Sequence, residues 1–196
     1  MSFIFKIEIY TDVLQITGSY EMPSYRRVSD TLNNRLHRFT TLSDATIAPL
    51  QRPQQAQRVP QIVVDWSRAL CVATLEEPSM PAEFSTSMLP RDRQTVMFFT
   101  SVFALRGDAY FRQDKDLFIS VREISDDFLP ISNVSLYPLH GGSPVQRKFA
   151  CVNVQAIQAL YAVSLPSSSA SSAPAVPPAH EAAADDSTAA LDEPTA

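Results

Sequence analysis

The sequence predicts a mainly β protein: two tandem small β-barrel or roll repeats of about five strands each, one short helix, and a disordered C-terminal tail. Three observations lead there. The segment FTTLSDATIAPL at 39–50 is echoed by FLPISNVSLYPL at 128–139. Short apolar runs with a period of two recur along the first 165 residues. From Pro166 onward the composition turns to Ala, Ser, Pro and acids, without an aromatic residue.

The echo is longer than its best segment. At an offset of 89, the run from Val13 to Gly18 lies over the run from Val102 to Gly107. After one inserted residue, RVPQIVVDWSRALCVATL at 58–75 lies over the segment 147–165 at an offset of 90, placing Ile62 on Val152 and Val64 on Val154. Self-similarity at a fixed spacing signals repeated structural units. The expected organisation is a β-barrel-like repeat at 1–77, a linker at 78–94, a second such repeat at 95–165, and the tail at 166–196. A pseudo-twofold axis is expected to relate the repeats, with Phe39 and Phe128 as matching buried residues.

In the first repeat, Phe3, Phe5, Ile7 and Ile9 alternate with Ile4, Lys6, Glu8 and Tyr10, as in a strand with one buried face. Thr11 and Asp12 make a tight connection to VLQITGSYEM. The segments DATIAPL, QIVVDW and ALCVATL supply the later strands, with Trp66 at the turn between the last two. TVMFFTSVFALRG, NVSLYPL, FACVNV and QALYAVSL are their counterparts in the second repeat. Gly18 and Gly107 are two of only four glycines and share one repeat position, which predicts a bulge or sharp bend there. A helix is expected within 24–39, capped by Ser24 or Ser29, with Val28, Leu32 and Leu36 on one face and an end near residue 34. KDLFISVREISDDF, at the corresponding place in the second repeat, is rich in β-branched and aromatic residues and reads as strand. The linker carries several prolines and little periodicity.

The net charge of −5 belongs to the tail, whose acids are Glu181, Asp185, Asp186, Asp192 and Glu193 with no Lys or Arg. Residues 1–165 balance 16 acids against 16 bases and so lack the basic footprint of most nucleic-acid binders. Cys71 and Cys151 lie in apolar runs, where a small buried thiol is expected. His37, His140 and His180 make no zinc spacing with them, so no metal or cofactor is expected. MSFIFKIEIY lacks a basic start and carries charges within its apolar stretch, and no apolar run has the length of a spanning helix. The expectation is a cytoplasmic, reduced protein with no membrane partner.

RRVSDTLNN and FTTLSDATI, followed by IVVDWSRALCVATLEE, resemble an uncharacterised bacterial small β-barrel family of unknown function with an Arg-x-Ser-Asp-x-Leu-Asn pattern. Arg27, Ser29, Asp30, Leu32, Asn33, Leu42, Ser43, Asp44 and Ala45 carry the resemblance. In the second repeat Ile119-Ser120 replaces the Ser-Asp pair. More remotely, the strand order and VQAIQALYAVSL resemble the closing strands of Sm-like barrels. The resemblance brings no activity with it.

No phosphate loop, nucleophile elbow or His-carboxylate constellation is present in the sequence, and the acid clusters DKD (114–116) and DDF (126–128) read as solvated loops. The expected function is a non-enzymatic interaction or regulatory module with a protein partner and the acidic tail as tether. Its candidate surface is Arg26, Arg27, Asp30, Asn33 and Asn34, with Ser29 or Asp30 capping the helix and Leu32 plugging the barrel end. The alternative is an Sm-like nucleic-acid binder using Arg26, Arg27, Arg35, Arg38, Arg52 and Arg58.

The tail from Pro166, made of Ala, Ser, Pro and acids without an aromatic residue, cannot offset its ordering entropy by burial. Truncation after Leu165 is therefore expected to leave the melting temperature unchanged, and a drop of several degrees would show that the tail contributes to the fold.

Overall fold

The structure is a computed structural model in which the described residues are 2–34, 38–81, 91–112 and 117–163, without the side chains of 91 and 112. The expected tail, most of the linker and the DKD cluster lie outside them. Ten antiparallel strands form one open sheet: β1 (Phe3–Tyr10), β2 (Leu14–Met22), β3 (Phe39–Pro49), β4 (Gln57–Asp65), β5 (Cys71–Glu76), β6 (Arg91–Phe99), β7 (Phe103–Arg112), β8 (Phe128–Pro138), β9 (Val145–Asn153) and β10 (Ala159–Ala162). Two short helices, α1 (Val28–Leu32) and α2 (Leu117–Arg122), complete it. None of the described helices is long and apolar enough to cross a membrane.

Two expectations fail here. The barrels do not close: the strand order is β10-β6-β7-β8-β9-β5-β1-β2-β3-β4, and β4 and β10 end the sheet. The segment read as strand in KDLFISVREISDDF contains α2 instead, whose Leu117 is buried beneath the sheet strands. Leu117 is buried and Val121 and Ile124 pack against the same core, while Phe118 and Ile119 stay exposed, so tertiary contact at three positions overrides the strand propensity of the segment. The linker is also shorter than its composition suggests, because β6 begins at Arg91.

The chain runs through one strand order twice: β5-β1-β2-β3-β4 in the first half and β10-β6-β7-β8-β9 in the second. The halves join where β5 pairs with β9, Cys71 opposite Val152 and Thr74 opposite Phe149. A twofold axis would place like edges together. Here the last strand of one half's order meets the first of the other's, so the arrangement is head to tail.

Local geometry recurs along the two halves. Thr11 Oγ1 accepts from the backbone N–H of Leu14 at 2.8 Å, and Thr100 Oγ1 from that of Phe103 at 3.1 Å, tightening the β1–β2 and β6–β7 turns. Asp65 and Asn153 each cap a 3-10 turn, accepting from the N–H groups of Ser67 (2.9 Å) and Gln155 (3.0 Å). Phe39 pairs with Asp65, and Phe128 with Asn153. The last strands therefore align at an offset of 88, not 90. A shift of two residues keeps every side chain on the same face, which is why the apolar pattern tolerates either alignment.

Curvature comes from one bulge per half. Between Thr17 and Ser19 the β2–β3 register slips, and Asp44 on β3 takes φ 47°. Between Arg106 and Asp108 the β7–β8 register slips, and Asn133 takes φ 52°. Asp and Asn are the non-glycine residues that best tolerate this left-handed region. Gly18 and Gly107 sit opposite the bulges.

Two apolar cores result. One gathers Phe5, Ile7, Ile9, Leu42 and Trp66 with Val28 and Leu32 of α1; the other gathers Val96, Phe98, Leu105, Ile131 and Leu136 with Leu117 of α2. Strands at the junction serve both: on β5, Val72 faces the first core while Cys71 and Ala73 face the second. On β9, Cys151 faces the first core while Ala150 and Val152 face the second. Burial on both faces explains the unbroken apolar runs ALCVA and FACV, which do not alternate. Phe39 and Phe128 are not matching buried residues: Phe128 is buried in the first half's core, whereas Phe39 is exposed.

A Cβ on Gly18 would lie 2.9 Å from Leu42 Cβ, an atom fixed to the backbone, whereas on Gly107 the nearest atom would be Ile131 Cδ1 at 3.1 Å, the tip of a flexible side chain. Gly18→Ala is expected to destabilise by about 1–3 kcal/mol and Gly107→Ala by less. Urea midpoints at unchanged m-value measure both, and an equal or reversed order would remove the close-approach argument.

Candidate functional site

The sequence-predicted surface lies on and around α1, where Arg26 and Asp30 are exposed and Arg27, Asn33 and Asn34 half-buried. The segment folds as a single helical turn because Val28 and Leu32 insert into the first core. The expected cap does not form. Arg27 occupies the N-cap position without a side-chain cap bond, and Ser29 donates to Asp30 Oδ1 at 3.5 Å. Ser29 is itself buried.

Asn33 has a definite task. Its Nδ2 donates to the Phe128 carbonyl at 2.9 Å, and its Oδ1 accepts from the Phe128 N–H at 2.8 Å. One amide side chain thus completes the backbone bonds of the first residue of β8 and ties α1 to the other half. Among the predicted site residues, Asn33 is a structural clamp between halves.

Of the arginines in the nucleic-acid alternative, Arg35 lies outside the described residues. Arg38 holds Asp65, with Nη2 to Oδ2 at 2.7 Å and Nε to Oδ2 at 3.0 Å. This pairing, helped by Ser67, holds the Asp65 carboxyl well below the usual carboxylate range. Arg26, Arg52 and Arg58 are exposed.

A second polar cluster, not anticipated from the sequence, lies at the junction of the halves. Glu8 and Tyr10 are both buried, although alternation along β1 placed them opposite the apolar face. That opposite face is covered by the second half. Arg147 of β9 reaches across β5 to Glu8, with Nε and Nη2 each 2.7 Å from Oε2. The Tyr10 hydroxyl donates to the same oxygen at 2.6 Å, and Gln15 Nε2 donates to Oε1. Burial, and then the Glu8 carboxylate, push the Tyr10 hydroxyl far above its ordinary range. Glu8 therefore has both oxygens occupied by donors from three strands, the arrangement a buried carboxylate needs. The cluster fixes the junction and leaves no lone pair aimed at a ligand.

Beside it, an open depression of about 260 Å³ is lined by Asn133, Gln146, Arg147 and Lys148. Asn133 Nδ2 donates to Asp108 Oδ2 at 2.9 Å, and Thr95 Oγ1 to Oδ1 at 2.7 Å. These bonds, the Asn133 amide foremost, hold Asp108 below its ordinary carboxylate range. Both thiols are buried. Burial, then Glu8, raises Cys71 to about 12, and burial raises Cys151 well above its ordinary value. A thiol so held is not a nucleophile. Among the described residues no group of three His, Cys, Asp or Glu side chains is placed to hold a metal.

Among the exposed large apolar side chains are Phe39 on β3 and Val63 on β4 at one end of the sheet and Tyr161 on β10 at the other; Ile4, Val13, Phe118 and Ile119 are exposed on other elements. Removing Arg147 alone leaves Glu8 buried beside Tyr10 and Gln15 without its cation. Arg147→Ala is expected to destabilise by about 3 kcal/mol, the lower end for a broken buried pair because Arg147 is partly exposed. The double substitution Glu8→Met with Arg147→Val is expected to be more stable than Arg147→Ala. Urea unfolding of both variants decides, and a double variant at or below the single one would show the pair contributing net stability.

Comparisons of the chain with protein-family models, with curated proteins and with solved structures return no match.

Proposed function

We propose that this protein is a non-enzymatic interaction module: a duplicated small β unit whose continuous sheet offers its two edges to a protein partner. The observation that carries this reading is the exposure of one large apolar side chain on each outermost strand, Val63 on β4 and Tyr161 on β10, with Phe39 exposed on the adjoining β3. Exposed apolar surface beside unpaired strand edges is what strand addition by a partner uses. The duplication is supported by the shared strand order, the paired bulges at Asp44 and Asn133, and the paired caps at Asp65 and Asn153. The buried polar groups of the junction support the same reading, because the donors and acceptors of Glu8, Tyr10 and Arg147 meet one another.

Nucleic-acid binding is the competing reading. It loses Arg38 to Asp65, and the balanced charge of residues 1–165 gives no field to gather phosphates. The full chain is expected to pass a heparin column unretained at physiological salt. Retention with a steep dependence of elution on salt would replace the protein-binding reading with the nucleic-acid one.

A further inference from the structure

We propose that the partner of these edges is a second copy of this chain, with β4 of one copy pairing antiparallel with β10 of the next as β9 pairs with β5 inside each. The inference rests on the reading above and names its partner.

The junction inside the chain is a template for the junction outside it. In the order of the sheet, β9 ends the second half and β5 begins the first. At the sheet's free ends stand β4, which ends the first half as β9 ends the second, and β10, which begins the second half as β5 begins the first. The free edges are therefore of the two kinds already joined in the middle. Carrying the β5–β9 register outward places Ala159 opposite Val64, Leu160 opposite Val63, Tyr161 opposite Ile62 and Ala162 opposite Gln61. None of these residues is a proline, and alternate ones point their backbone N–H to the free edge. Pro60, which has none, falls just beyond the paired stretch, as edge-strand prolines must.

Burial tells the two junctions apart in the way an absent neighbour would. Phe128 is 3% exposed and its counterpart Phe39 57%. Cys151 is 0% exposed and its counterpart Val63 64%. Ala73 is 0% exposed and its counterpart Tyr161 49%. Leu50 packs against the second half's core, whereas its counterpart Leu139 is 48% exposed. Each exposed residue is apolar, and each occupies the place of a residue that the other half covers.

The chemistry at the seam changes as a set. Glu8, Tyr10, Gln15 and Arg147 form the buried polar cluster; their counterparts are Met97, Phe99, Ala104 and Val59. An edge meant to stay solvated gains charge at such positions. At these four positions the outer edges carry no charge on either side, so apolar side chains stand where the inner seam holds its ion cluster. The Asn153 bond of the inner seam is not reproduced either. Asn153 Nδ2 donates to the Ala69 carbonyl at 2.9 Å, and Asp65, standing in its place, has no amide hydrogen. A contact between different edges repeats from copy to copy, closing into a ring or extending as a fibre according to its rotation.

Sedimentation velocity of the full chain across a wide range of concentration tests the proposal. Assembly that grows with concentration is expected, and a chain that stays monomeric at the highest concentration overturns it. Val63→Lys blocks only the β4 edge and Tyr161→Lys only the β10 edge. Each variant alone is expected to be monomeric with the melting temperature of the parent. Should Tyr161→Lys melt early, Ala162→Lys blocks the same edge from an exposed position. Mixed in equal amounts, the two variants are expected to form a heterodimer and nothing larger, because each retains one intact edge of opposite kind. A mixture that stays monomeric, or one variant that assembles as the parent does, overturns the head-to-tail pairing. The heparin column tests the interaction reading separately, so the two fail independently.

Discussion

Everything in this fold depends on the pairing of β5 with β9. Among the described residues neither half has a second layer beyond one short helix, so each core is enclosed mainly by its own five strands. A unit of that size buries too little surface for comfortable stability. The pairing gives each half a wall it lacks: Cys151 and Phe128 from the second half close the first core, and Tyr10, Cys71 and Ala73 from the first close the second. The ion cluster around Glu8 and the amide clamp of Asn33 hold the same seam at two further points.

The seam also accounts for the unequal fates of residues at like positions. A strand at the centre of the sheet is buried on both faces and reads as an unbroken apolar run, while its counterpart at the rim is half-exposed. Position in the sheet, more than the side chain itself, sets whether Phe39 or Phe128 is covered. Two segments of like pattern thus acquire different environments from topology.

Much of this was legible in the sequence. The short alternating runs, the two glycines opposite the bulges, and the Asp44 and Asn133 positions stand in the sequence as they do in the sheet, because each answers a local geometric demand. The seam was not legible. Glu8 looks solvated because alternation cannot know that a second face is covered by residues more than a hundred positions away. The two-residue misalignment of β4 on β9 escaped notice because a shift of two preserves the facing of every side chain. The segment holding α2 looked like strand because β-branched and aromatic residues speak for burial before they speak for a backbone shape. Residue type placed Asn33 on the candidate surface, whereas its amide bonds the backbone of Phe128, which lies in the other half and leaves no mark nearby.

The two cysteines lie on neighbouring strands with their thiols on opposite faces of the sheet, each sunk in a different core. They cannot bridge without turning a strand over, so the fold is indifferent to the redox poise of its surroundings. Neither thiol meets solvent while β5 and β9 remain joined and covered. Their reaction with an alkylating reagent is consequently a clock on the opening of the seam, one sulfur reporting on each side, already installed in the native chain.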